Sequence, residues 1–190
     1  MELFDAIKGR RSCRAFLKEP VDKELIMKIL DAAIWAPSPL NLQPWEFKII
    51  LNKEIINQIY EEAARCKEWG EKVSGWGWLG KYSVEFLKSV PVMILVLGDY
   101  KKTGLDAFLE EGNVGYQYAC AAAIQNIHLT AYSLGLATLW FTLYNKKNIR
   151  KILNIPDNKN PLSIICLGKP AAEIKPPKRK NLLEKIEWIE

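Results

Sequence analysis

Residues 119–142 read ACAAAIQNIHLTAYSLGLATLWFT, and the first part of this stretch is apolar around most of a helical circumference. Ala119, Ala121, Ala122, Ala123, Ile124, Ile127 and Leu129 leave no broad polar face, so the pattern predicts a helix from about Asn113 to Leu134, buried on all sides and ended at Gly135. The second part, Ala137 to Thr142, reads as a strand. A helix buried all round needs further layers, and the flanking sequence supplies them. Upstream, Val92 to Leu97 is a continuous apolar run closed by Gly98-Asp99, as expected for a strand covered on both faces. Trp45, Phe47 and Ile49 alternate along another strand. Downstream, Lys146 to Leu153 reads as a short helix stopped before Pro156, and Leu162 to Leu167 as an apolar strand broken by Gly168-Lys169-Pro170.

The remaining segments complete this arrangement. Leu3, Phe4 and Ile7 give a first helix that stops at Gly9, where a left-handed glycine is expected. Asp22 suits the N-cap of a second helix, with Val21 and Ile26 placed as a hydrophobic staple. A third helix is expected from Lys53 to about Arg65, while Trp69 to Lys88 shows no pattern beyond a helical end. Helices and strands alternate without a regular βαβ repeat. The fold class is therefore α+β, with helices on both sides of a central mixed, mostly antiparallel sheet. A chain of 190 residues, 49% hydrophobic and 26% charged, fits a single domain over 1–190, its residues from about 169 onward forming an extended arm.

Composition narrows the chemistry. The longest strongly apolar run is too short for a membrane span, and the first residues lack a secretory pattern, so the reading is cytoplasmic with no membrane partner. Cys13, Cys66, Cys120 and Cys166 lie far apart and His128 is the sole histidine, which argues against a metal site. His128 itself falls within the central helix and is expected to be a packed core residue. The net charge of +5 is spread out apart from a cluster at Lys175 to Lys180, and no module or basic-aromatic surface points to nucleic acid.

Two segments stand out. Arg10-Arg11-Ser12-Cys13-Arg14 offers guanidinium forks and a hydroxyl that suit a phosphate, or else forms a solvated basic turn. Pro37-Ser38-Pro39-Leu40-Asn41-Leu42-Gln43-Pro44 combines rigid prolines with side chains that could hydrogen-bond a polar ring edge, or else simply connects helix to strand. Trp69, Trp76 and Trp78 could stack on an aromatic molecule or cover an interface.

Taken in order, Arg10 to Phe16, Ala36 to Trp45, Gly135 to Trp140 and Leu167 to Pro170 resemble the motifs of the nitroreductase family, a likeness spanning almost the whole chain. The resemblance implies an extensive homodimer binding FMN at the subunit interface. It would put Arg10, Arg11, Ser12 and Arg14 around the phosphate and the ribityl or pyrimidine edge. Pro37, Ser38, Pro39 and Asn41 would reach the partner's flavin, and backbone groups of Thr138, Leu139 and Trp140 would run along the isoalloxazine. Arg179 or its neighbour Lys178 resembles the basic residue brought to the phosphate by the C-terminal arm, in a register ambiguous by one position. The implied activity is hydride transfer from NADH or NADPH through FMN to a nitroaromatic, quinone or similar acceptor, with no catalytic side chain required. The alternatives are a specialised flavin enzyme of the same fold, such as a dehalogenase, a flavin-cleaving enzyme or an azoline dehydrogenase, and a non-catalytic flavin or anion binder.

Overall fold

The computed structural model describes residues 1–190 except Glu110, Glu111, Asn113 and Lys175. The proposed helix start at Asn113 and the first lysine of the 175–180 cluster thus lie outside the described residues. Six helices, α1 (Leu3–Gly9), α2 (Lys23–Ile34), α3 (Lys53–Ser74), α4 (Gly77–Lys81), α5 (Gly115–Ser133) and α6 (Lys146–Leu153), surround four strands, β1 (Trp45–Ile50), β2 (Val92–Asp99), β3 (Ala137–Phe141) and β4 (Lys159–Gly168). The strands form one sheet in the order β1-β2-β4-β3.

Local chemistry sets the element boundaries. The Asp22 carboxylate accepts the Glu24 N–H at 2.9 Å to open α2, and the Asn52 side chain accepts from Glu54 and Ile55 to open α3. Gly75, left-handed at φ 67, closes α3. That helix runs a further nine residues past Arg65 through a stretch with no buried residue, and so with no apolar period to read in the sequence. β2 is central and buried on both sides. On one face Met93, Leu95 and Leu97 pack with Ile56 and Ile59 of α3 and Ile149 of α6. On the other, Ile94 and Val96 pack with Ile29 of α2 and Ile124 and Ile127 of α5. α5 is buried on the side of Ala119, Ala123, Ile124 and Ile127 but not all round, because Gln117, Tyr118 and Gln125 leave its other side exposed.

Several expectations change. The sheet is not mixed: every strand pair is antiparallel, and parallel pairing among the described residues is limited to one isolated bridge, Ser12 to Thr138. In β1, Ile50 rather than Ile49 is buried, because the strand contributes to both cores. β4 starts at Lys159, upstream of the apolar run, and includes Pro161. The register shifts between Val96 and Leu97 opposite it, an irregularity that accommodates a residue lacking an N–H.

Gly9 does not end α1 in a left-handed conformation; Arg10 follows it in extended backbone at φ −56, ψ 134. The absence of a side chain at Gly9 serves close packing instead. A Cβ there would lie 2.6 Å from Cζ of Tyr132, at the end of α5. Gly9→Ala gains helix propensity of about 1 kcal/mol, but displacing the ring costs about 1–3 kcal/mol. A lower melting temperature for the variant is expected by calorimetry; an unchanged or higher one would show that Tyr132 moves freely.

Candidate functional site

After α1 the chain runs extended and is held on two sides. Cys13 donates its N–H to the Thr138 carbonyl of β3 at 2.9 Å, Leu17 donates to Lys169 O at 3.0 Å, and Ala171 donates to Ala15 O at 2.8 Å. Cys13 and Phe16 are buried, so the segment is anchored in the core while its basic residues face outward. Placement this firm turns a basic turn into a positioned set of cations.

Arg10 and Arg11 line a cleft of about 390 Å³ together with Gly9, Tyr132, Thr138 and Ile174. The Nε atoms of both arginines are buried without a hydrogen-bond partner, although Arg11 also donates to the Arg10 carbonyl at 2.7 Å. Among the described residues Glu173 is the one acid lining the cleft, and neither arginine is ion-paired. Burial, then the like charges of Arg11 and Arg179, hold the Arg10 guanidinium below its usual value. Arg10 and Arg11 therefore share the cleft with Arg179 within electrostatic reach, and among the described residues neither of the two is ion-paired, an arrangement that an anion would stabilise. Of the two basic residues on the C-terminal arm, both exposed, Arg179 lies within electrostatic reach of Arg10.

The floor of the cleft is the start of β3. Thr138 and Leu139 are buried and Trp140 is partly exposed. Because the Thr138 carbonyl turns away from β4 toward Cys13, strand alternation points the backbone N–H of Trp140 to the same open edge. Beneath it, His128 Nδ1 lies 2.6 Å from Thr138 Oγ1, and the imidazole packs against the Trp140 ring at 5.9 Å between centroids. Burial first, with Arg10 adding to it, pushes His128 down to about 4, so the ring is neutral at pH 7.

Other predicted site residues lie elsewhere. Ser12 is exposed at the bridge, and Arg14 lies outside the Arg10 cleft. Its guanidinium packs over the Tyr82 ring at 5.7 Å and donates to the Tyr82 hydroxyl at 3.2 Å. Trp78 meets Tyr82 edge-on, and Trp76 stacks on Trp78. Nothing in the sequence linked Arg14 to a residue 68 positions away, and the contribution of Tyr132 to the cleft was likewise hidden by its place on an apolar helix.

The loop with Pro37, Ser38, Pro39 and Asn41 is shaped but remote. Leu40, Asn41 and Gln43 are left-handed, a strained set stabilised by Gln43 N–H donating to Ser38 Oγ at 3.1 Å and Gln43 Nε2 to Asn41 Oδ1 at 3.2 Å. Pro39 packs near Gly115, at the start of α5, whereas the arginine cleft lies against Tyr132 near its end. They lie seventeen helical positions apart, about 25 Å at 1.5 Å per residue. One chain does not bring the two motifs together.

The sequence profile described as the nitroreductase family matches residues 7–169. The chain belongs to the nitroreductase family. A Methanothermobacter thermautotrophicus protein bearing the provisional name NADH dehydrogenase/NAD(P)H nitroreductase is 34% identical over 175 residues, 90% of this chain and 78% of that protein. The 5,6-dimethylbenzimidazole synthase of Rhodospirillum rubrum is 26% identical, covering 94% of this chain and 85% of the other. Among solved structures, a BluB-like flavoprotein from Clostridium difficile superposes over 100% of both chains with a TM-score of 0.82 and 25% identity.

One further feature of this nitroreductase-family oxidoreductase escaped the sequence. Buried Glu62 of α3 accepts from Arg65 Nη2 at 2.8 Å, Cys66 Sγ at 3.0 Å, Asn145 N–H at 2.9 Å and Asn148 Nδ2 at 3.0 Å. It ties the segment after β3 to α3, fixing the far end of the strand that floors the cleft. No described helix is long and apolar enough to cross a membrane, and among the described residues no His, Cys, Asp and Glu cluster could hold a metal.

Proposed function

We propose that the chain binds FMN and reduces a small acceptor, a nitroaromatic, a quinone or a related molecule, with electrons from NADH or NADPH. The observation that carries this reading is Arg10 and Arg11 side by side on a cleft floored by β3, with Arg179 within electrostatic reach and two buried guanidinium nitrogens left unpartnered. A phosphate monoester satisfies those donors and offsets the mutual repulsion. Arg10, Arg11, Ser12 and Arg179 would hold the phosphate and ribityl end, with Lys178 at the exposed margin. Thr138, Leu139 and Trp140 would lie along the ring, and the outward N–H of Trp140 is a fixed donor for its polar edge. Arg14, steadied by Tyr82, is left for the pyrimidine side. FMN supplies the hydride acceptor and donor; the protein binds, orients and tunes it.

The distance between the arginine cleft and the Pro37–Asn41 loop supports a homodimer. With a two-fold axis across antiparallel copies of α5, the loop of one subunit meets the cleft of the other, and each flavin takes residues from both chains. Surface area agrees: the chain exposes 12181 Å², whereas a compact monomer of 21.8 kDa exposes about 9,300 Å². Phe4, Trp35, Tyr118 and Trp188 are among the exposed large side chains this excess contains.

The purified protein should be yellow, sediment at twice the chain mass and be reduced anaerobically by one nicotinamide, then reoxidised by a member of an acceptor panel. Colourless protein that takes up no flavin would overturn the reading. The full-length superposition on the BluB-like flavoprotein, with the synthase relative, favours a second reading, a flavin-cleaving enzyme. Bound FMN that is reduced and then consumed under oxygen, with no acceptor turnover, distinguishes it.

A further inference from the structure

His128 lies where the three parts of the proposed flavin site meet. Its Nδ1 is bonded to Thr138 Oγ1, its ring packs on Trp140, and Arg10 is close enough to act on its charge. Thr138 and Trp140 are the two β3 residues whose backbone faces the open edge. The same Thr138 accepts the Cys13 N–H and bridges Ser12, so its position sets the backbone from which Arg10 and Arg11 project.

We infer that His128 is a positioning residue for the cofactor: its bond to the Thr138 hydroxyl fixes that side chain and, through it, the β3 edge and the bridged Ser12–Cys13 backbone that aim Arg10 and Arg11. The inference rests on the FMN reading above. An apolar residue of similar size would fill the space, since Ile124 and Ile127 on the same helix do so for their own neighbours. It would leave the Thr138 hydroxyl, buried beneath a cationic cleft, without its partner. A neutral imidazole meets the requirement without adding charge below Arg10. Threonine has more than one accessible rotamer, and the bond to His128 selects one.

The test compares His128→Phe, His128→Asn and Thr138→Val in the full chain. FMN affinity is read by fluorescence quenching, and the bound flavin by its visible spectrum and midpoint potential. His128→Phe and Thr138→Val should each weaken FMN binding about tenfold and shift spectrum and potential. The double variant should be no worse than His128→Phe, since both remove one interaction. His128→Asn, whose amide reaches the Nδ1 position, should recover most of the loss. A folded His128→Phe protein with unaltered affinity, spectrum and potential overturns the inference, as does an Asn variant no better than Phe. If His128→Phe does not fold, Thr138→Val carries the same test. A wild-type protein without FMN affinity overturns the cofactor reading itself, whereas variants that match a flavin-binding wild type overturn only the role of His128.

Discussion

Arg10→Ala is expected to weaken FMN binding by about 2–4 kcal/mol, roughly 30- to 1,000-fold in Kd, while leaving the apoprotein as stable as before or more so. The two halves of this expectation have one cause. In the flavin-free chain the Arg10 guanidinium is partly buried, its Nε lacks a partner, and Arg11 and Arg179 repel it. Alanine removes that unfavourable set and sacrifices no ion pair. With a phosphate present, the same residue becomes a charge-assisted fork placed by the Cys13 and Thr138 pairing, and its loss is felt in full. Arg10→Lys should recover only part of the affinity, because an ammonium supplies charge without the fork. Equilibrium flavin titration and calorimetry of the apoprotein check both halves. A flavin-replete, fully active Arg10→Ala protein would refute the phosphate assignment, and a large loss of apoprotein stability would show that Arg10 is structural.

That the decisive cations were legible in the sequence, and their partners were not, has a physical explanation. Strands and buried helices are written in local periodicity, so β2, α5 and α6 follow from spacing alone. The clamp on residues 12–17 is made of backbone bonds to β3 and to the chain after β4, which carry no side-chain signature. Arg14 over Tyr82 and Gly9 against Tyr132 are contacts between residues distant in sequence, and each could as well have been a solvated arginine or a helix-ending glycine. The expected mixed sheet is wholly antiparallel in its strand pairs, and the one parallel contact among the described residues is the isolated bridge at Ser12. The 25 Å between the arginine and proline motifs appears only once α5 is seen to separate them. A list of site residues in sequence order conceals that one chain holds them in two separate places.

Glu62→Ala should be the most destabilising single change in the region, by about 3–4 kcal/mol, or about 10 °C in melting temperature. Burial alone would raise the Glu62 carboxyl, but bonds from Arg65, Cys66, the Asn145 N–H and Asn148 outweigh it and hold the group at about 2, against an ordinary 4.5. A folded pKa below the unfolded one means stability that is fully present above about 4.5 and lost as pH falls toward 2. The shift corresponds to at most about 3 kcal/mol, and about 2 kcal/mol is more realistic because Arg65 is half exposed to solvent. Glu62→Gln keeps an acceptor but not the charge, so the gap between wild type and this variant should be constant above pH 5 and close on acidification. Alanine does worse than glutamine because the Asn145 N–H and the Asn148 amide lose their acceptor. Denaturant midpoints for the three proteins between pH 2 and 7 give both quantities, and a wild-type–Glu62→Gln gap independent of pH would mean that folding leaves the carboxyl's pKa unchanged and the charge contributes nothing. The consequence reaches the cleft: Glu62 holds Asn145 where α6 begins, four residues beyond the end of β3, so Glu62→Ala should also loosen the flavin in protein that remains folded. Alanine at position 62 with lowered stability but unchanged FMN affinity would confine the carboxylate to the scaffold and show that the Arg10 end alone positions the cofactor.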